Sequence, residues 1–150
     1  MSETPLTYFD RFDRPVIQAL LVLAGSFAIM GIGKLLGITG IVTVAEDFPW
    51  LCSASFLLFF AMFNAIIALS TQDLESYFRK SILAFVGLLV LSLGLAFGFS
   101  GKWVSEAGSY KTIFIILTFG YLALLSIGGL IKRIAMILQK EEEQYRQTRK

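Results

Sequence analysis

The sequence predicts an all-α membrane protein built on four transmembrane helices, and three observations carry that expectation. Hydrophobic residues make up 56% of the 150 residues and charged residues only 16%, against roughly 45–50% and about 25% in soluble domains. Four apolar stretches reach the length of about 20 residues that roughly 30 Å of hydrocarbon requires. Within them the apolar residues do not alternate with polar ones, as Phe56-Leu57-Leu58-Phe59-Phe60 shows, so the short two-faced strands of a barrel are a poor fit. Helices satisfy every backbone group internally where no water can.

The spans follow in order. The first runs from Val16 to about Leu36 and the second from about Trp50 to Thr71. The third covers Ile82 to about Ser100, and the fourth about Thr112 to Ile131. The breaks Gly37–Pro49, Gln72–Ser81 and Gly101–Lys111 hold the charges and turn formers. The first span is about 21 residues long, beyond the 7–15 of a signal-peptide core, and is read as a retained helix. The whole chain is therefore one four-helix domain, flanked by an N-terminal segment (1–15) and a tail (132–150).

Ten of the thirteen basic residues fall on one side of this arrangement: Arg11, Arg14, Arg79, Lys80 and the six of the tail. Lys34, Lys102 and Lys111 fall on the other. An excess of Lys and Arg marks cytoplasmic loops, so both termini are expected in the cytoplasm and the host membrane to be a bacterial inner membrane. Trp50, Trp103 and Tyr110 mark one interface and Tyr8, Tyr77 and Phe78 the other, because amphipathic rings prefer headgroup depth.

Outside the bilayer little remains. Thr4-Pro5 reads as a cap and first helical position, and Leu6, Phe9 and Phe12 recur at helical spacing, which predicts a short interfacial helix ending near Pro15. After the fourth span, Ile131, Ile134, Ala135 and Leu138 keep one apolar helical face, and Glu142 and Arg146 stand at i,i+4. The fourth helix is accordingly expected to continue into the cytoplasm.

The composition excludes much chemistry. Histidine is absent and cysteine occurs once, which removes the usual general base, the commonest metal and haem ligand, and any internal disulfide. No ionisable residue sits at a membrane centre, where proton relays keep theirs. The loop acids Glu46, Asp47 and Glu106 read as solvated surface in place of a metal site. Gly31-Ile32-Gly33-Lys34 and Gly101-Lys102 fail the spacing of dinucleotide and phosphate loops. No enzyme, no cofactor and no nucleic-acid partner is expected.

Packing residues are what the spans do contain. Gly33 and Gly37, and Gly94 and Gly98, are small-xxx-small pairs that let helix backbones approach. Gly87, Gly94 and Gly101 recur every seven residues, the spacing of one stripe of a left-handed helix crossing, and are expected to face protein. Asn64 is the sole asparagine and lies within the second span. Its amide must find partners, in bonds of about 0.6–2 kcal/mol. At 1.5 Å per residue it lies near 21 Å from Trp50, level with Ser126 and about a turn below Tyr121, so a bond to the fourth span is expected, across what is taken as an antiparallel pair. The leading expectation is a non-catalytic accessory, scaffold or assembly subunit bound to other membrane subunits or to itself. The alternative is a small homo-oligomeric channel or transporter with Asn64, Ser26, Ser92 and Tyr121 near its path.

Overall fold

The computed structural model describes residues 15–71 and 74–149. The N-terminal helix expected around Thr4–Pro15 lies almost wholly outside them. The described residues form four helices: α1 (Pro15–Thr39), α2 (Phe48–Ser70), α3 (Leu74–Ser100) and α4 (Tyr110–Thr148). All four are long and apolar enough to cross a membrane, and no strand occurs among the described residues. Each forms because an uninterrupted apolar run has no other way to pair its backbone in lipid. The ends of the helices differ from the apolar spans for one reason. A helix does not stop where hydrocarbon stops, since charged side chains are compatible with it. Thus α3 begins at Leu74 and takes in Glu75, Arg79 and Lys80, which apolar length alone leaves in the break between spans. Likewise α4 continues without a break through its charged tail, where Glu142 and Arg146 meet at 4.0 Å as the spacing predicted.

Glycines end two helices. Gly40 and Gly101 adopt φ of +71° and +69°, a left-handed conformation that favours glycine. The Gly101 N–H returns to the Phe97 carbonyl at 2.8 Å, satisfying one of the last carbonyls of α3. Proline at the start of α2 (Pro49) fits a first turn that needs no N–H bond there.

The helices run up and down in sequence order. α2 and α3 form the central pair, α1 packs against both, and α4 packs mainly on α2; α1 and α4 do not touch among the described residues. Alternate helices of such a chain point the same way, so α2 and α4 are parallel. Rising numbers meet rising numbers along them: Trp50 with Phe114, Asn64 with Tyr121, Leu69 beside Gly128. The antiparallel pairing expected for these two spans is therefore corrected.

The interior is a column of large side chains on α2, α3 and α4. Phe85 and Tyr121 stack with centroids 4.1 Å apart, and Phe60 lies 6.3 Å from each. Leu57, Leu88 and Leu125 fill the space around them. Most remaining apolar side chains point outward, as they must where the surrounding solvent is lipid. We call the end bearing the α1–α2 and α3–α4 loops the loop end, and the other the terminal end.

Candidate functional site

Toward the terminal end, all four helices converge on one amide. Asn64 of α2 is fully buried. Its Nδ2 donates to Gln18 Oε1 of α1 at 3.3 Å and to the Tyr77 hydroxyl of α3 at 3.2 Å. Its Oδ1 accepts from the Tyr121 hydroxyl of α4 at 2.9 Å and from the Ser81 hydroxyl of α3. Ser81 also meets the Tyr121 hydroxyl directly. Both amide protons and both carbonyl lone pairs are thus engaged, which is the full capacity of a carboxamide. Three oxygens share two hydroxyl protons here, so two of the three contacts among Asn64 Oδ1, Ser81 and Tyr121 carry a proton at any moment.

Packing places these groups. Tyr77 and Ser81 stand four residues apart, on one face of α3. Tyr121 reaches the cluster because its ring is clamped against Phe85 and Phe60. The five side chains are amides and hydroxyls. None is a base near neutral pH or a hard anionic ligand, and what they offer chemically is directional bonding between helices in a medium that offers none.

The expected partner Ser126 is not in this cluster. It is exposed, and its hydroxyl bonds the Leu122 carbonyl of its own helix at 2.8 Å. The reason is azimuth: five residues from Tyr121, at about 100° per residue, Ser126 is turned well away from α2. Gln18, Tyr77 and Ser81 were not foreseen as partners. By apolar length Tyr77 and Ser81 fall in the break before the third span, and their shared face appears only because α3 starts at Leu74.

The glycine stripe of α3 does not pack within this bundle. A Cβ added at Gly87, Gly94, Gly98 or Gly101 would meet nothing within 4 Å, so no helix among the described residues packs closely on these positions. Gly101 instead serves the helix end, as above. The α1 pair differs: a Cβ at Gly33 would collide with the Phe48 ring, while one at Gly37 would make ordinary contact with Val44 at 3.7 Å. Gly33 is the position where backbone and neighbour truly need the space.

Polar contacts at the loop end are smaller. Trp50 Nε1 donates to Ser100 Oγ at 3.0 Å, and Ser53 Oγ donates to the Ser92 carbonyl at 3.0 Å. Ser26 is wholly buried, with no hydrogen-bond partner for its hydroxyl among the described residues. Phe60, Phe85, Leu57 and Leu88 lie between these serines and the Asn64 cluster in helix order, so the buried polar groups fall into separate layers. Across the loops Lys102 pairs with Glu46. The pairing holds the Glu46 carboxyl below its ordinary value and raises Lys102, through the hydrogen bond first and the charge second. Glu106 accepts from the Trp103 N–H at 3.3 Å. Among the described residues no three acids or thiols gather where a metal ion would sit.

Compared with known proteins, the chain matches no family model, no curated sequence and no solved structure.

Proposed function

We propose that this is a non-catalytic multi-pass protein of a bacterial inner membrane, with both termini cytoplasmic, serving as an accessory, scaffold or assembly subunit of a larger membrane complex. One observation carries this reading. Gly128 lies beside Leu69, at the end of α2, yet α4 continues to Thr148. Leu138 is ten residues further on, about 15 Å past the bundle at 1.5 Å per residue. Over that distance Ile134, Ile137 and Leu138 remain 50%, 59% and 59% exposed. They continue the apolar ridge of Ile127 and Ile131 along one side of the helix. An apolar ridge that leaves hydrocarbon needs cover, and a neighbouring subunit provides it. The saturated Asn64 amide and the layered interior support a structural role over a conducting one, because a pore needs polar groups turned toward water.

The experiment is purification from the native membrane in mild detergent, followed by mass measurement. A stable complex with other gene products is expected, and an Ile134→Lys/Leu138→Lys variant should leave the bundle folded but lose those partners. A ring of identical chains that conducts would overturn the reading. Orientation is tested by cysteine scanning in a Cys52→Ala background. Ser105→Cys should react with an impermeant reagent in intact cells while Ser2→Cys and Thr148→Cys stay protected.

A further inference from the structure

We propose that the α1–α3 face near the loop end seats one phospholipid, with its phosphate at Lys34 and one acyl chain laid along the groove between the two helices. The upper part of this seat is a hollow of about 640 Å³ beneath the α1–α2 loop, lined by Met30, Lys34, Val44, Glu46, Phe99 and Lys102 among others. Its three charged side chains are two lysines and one glutamate, a net of plus one. Glu46 is already taken by Lys102. Lys34 makes no salt bridge among the described residues; its ammonium stands 5.5 Å over the Phe99 ring. An exposed lysine at the rim of a membrane helix carries a compact, mobile charge at headgroup depth, suited to a phosphate.

The lower part is a groove of about 530 Å³ between α1 and α3, lined only by apolar residues, Leu20, Ala24, Phe27, Val90, Leu91 and Gly94 among them. The two parts adjoin at the edge contact of Phe27 with Phe99, whose centroids are 5.6 Å apart. Leu20, Ala24, Phe27 and Lys34 fall on one face of α1, being four, seven and fourteen residues apart. Fourteen residues span about 21 Å, which is the depth of one leaflet with its headgroups. The groove is open because Gly94 has no side chain and nothing lies within 4 Å of where a Cβ would stand. A cation at headgroup depth above an acyl-sized apolar trough one leaflet deep matches a phospholipid better than a free anion, which has no use for the trough. It also matches better than a second helix, which has no use for the charge.

The test counts lipids on the full-length protein in mild detergent by native mass spectrometry, with phosphatidylglycerol as the probe. One tightly held lipid is expected. Lys34→Gln should lower its retention about tenfold, the worth of one charge-assisted contact, and Lys34→Arg should restore most of it. Gly94→Leu, which fills the trough, should release the lipid while leaving helicity unchanged by circular dichroism. Lys140→Gln, on the far tail, should behave as the wild type. Diacylglycerol, lacking the phosphate, should not be retained, and millimolar inorganic phosphate should not displace the phospholipid. Equal retention by wild type, Lys34→Gln and Gly94→Leu would sink the proposal. So would displacement by inorganic phosphate, or a photocrosslinker at Leu91 that captures protein in place of lipid in native membranes.

Discussion

Asn64 and the glycine stripe of α3 both look like helix-packing signals in the sequence, yet they have opposite fates. Four helices close around the Asn64 amide and occupy every donor and acceptor it has. Gly87, Gly94 and Gly98 lie on a helix that packs extensively with α1 and α2, but their own positions face open space. The difference is one of cost. A buried amide without partners is expensive in lipid, so the fold is compelled to answer it. A glycine left open costs little, because lipid tails fill the gap as well as a neighbouring side chain does.

The largest test of this contrast is Asn64→Leu. A lone interhelical bond averages about 0.6 kcal/mol, and on that basis the loss should be small. The structure instead ties four bonds to this one amide, from Ser81, Tyr121, Tyr77 and Gln18, although Ser81 and Tyr121 keep their bond to each other when it is removed. We expect about 2–3 kcal/mol, since each of the four bonds contributes about 0.5–1.5 kcal/mol and the remaining hydroxyls re-pair in part. Reversible unfolding in detergent measures it, and a loss under 1 kcal/mol would mean the cluster reorganises freely.

Gly33→Leu comes next. Its side chain would enter the space of Phe48, and overpacking of this kind costs about 1–3 kcal/mol. Unfolding of the variant should begin at the α1–α2 contact, seen as early loss of protection there in hydrogen exchange. Removing a single hydroxyl by Tyr121→Phe keeps the ring on Phe85 and still leaves Ser81 to serve the Asn64 carbonyl. About 1 kcal/mol is expected, well below the Asn64 variant; equality of the two would show that α4 contributes most of the cluster's stability.

Gly94→Ala should be neutral or stabilising by up to about 0.5–1 kcal/mol, because alanine orders the helix and meets no neighbour. Destabilisation would place a closely packed helix on that face. The smallest effect belongs to the loops. Glu46 titrates below its ordinary 4.5 and Lys102 above its ordinary 10.5, each because of the other. A lowered carboxyl contributes stability above its unfolded value and loses it as pH falls through the folded one; a raised amine contributes below its unfolded value and loses it as pH rises through the folded one. Glu46 is exposed and Lys102 partly so, with side chains 81% and 38% accessible, so Glu46→Gln should move the thermal midpoint little even between these limits. Any difference between the wild-type and variant curves should be small, lie between these limits, and vanish at the acid and alkaline ends, where the pair is already broken in the wild type.

Four membrane-length helices, their approximate spans, the continuation of α4 and the need of Asn64 for partners are all legible in the chain before it folds. Each of these follows from a one-dimensional quantity: apolar length against bilayer thickness, or a polar atom at a known depth. Tertiary structure decided which way each side chain faces. Ser126 and Tyr121 differ by about one turn in depth, but only Tyr121 points at α2, and no count of residues from an interface distinguishes the two. The same holds for Gly33 and Gly94, which share a motif and differ only in what stands opposite. Helix rotation in a membrane is hard to read because lipid and protein interior are equally apolar, so the amphipathic pattern that orients a helix in a soluble protein is missing here. Only a side chain that lipid cannot satisfy restores the signal. In this chain Asn64 does so at the terminal end, fixing how α2 is turned toward the other three helices.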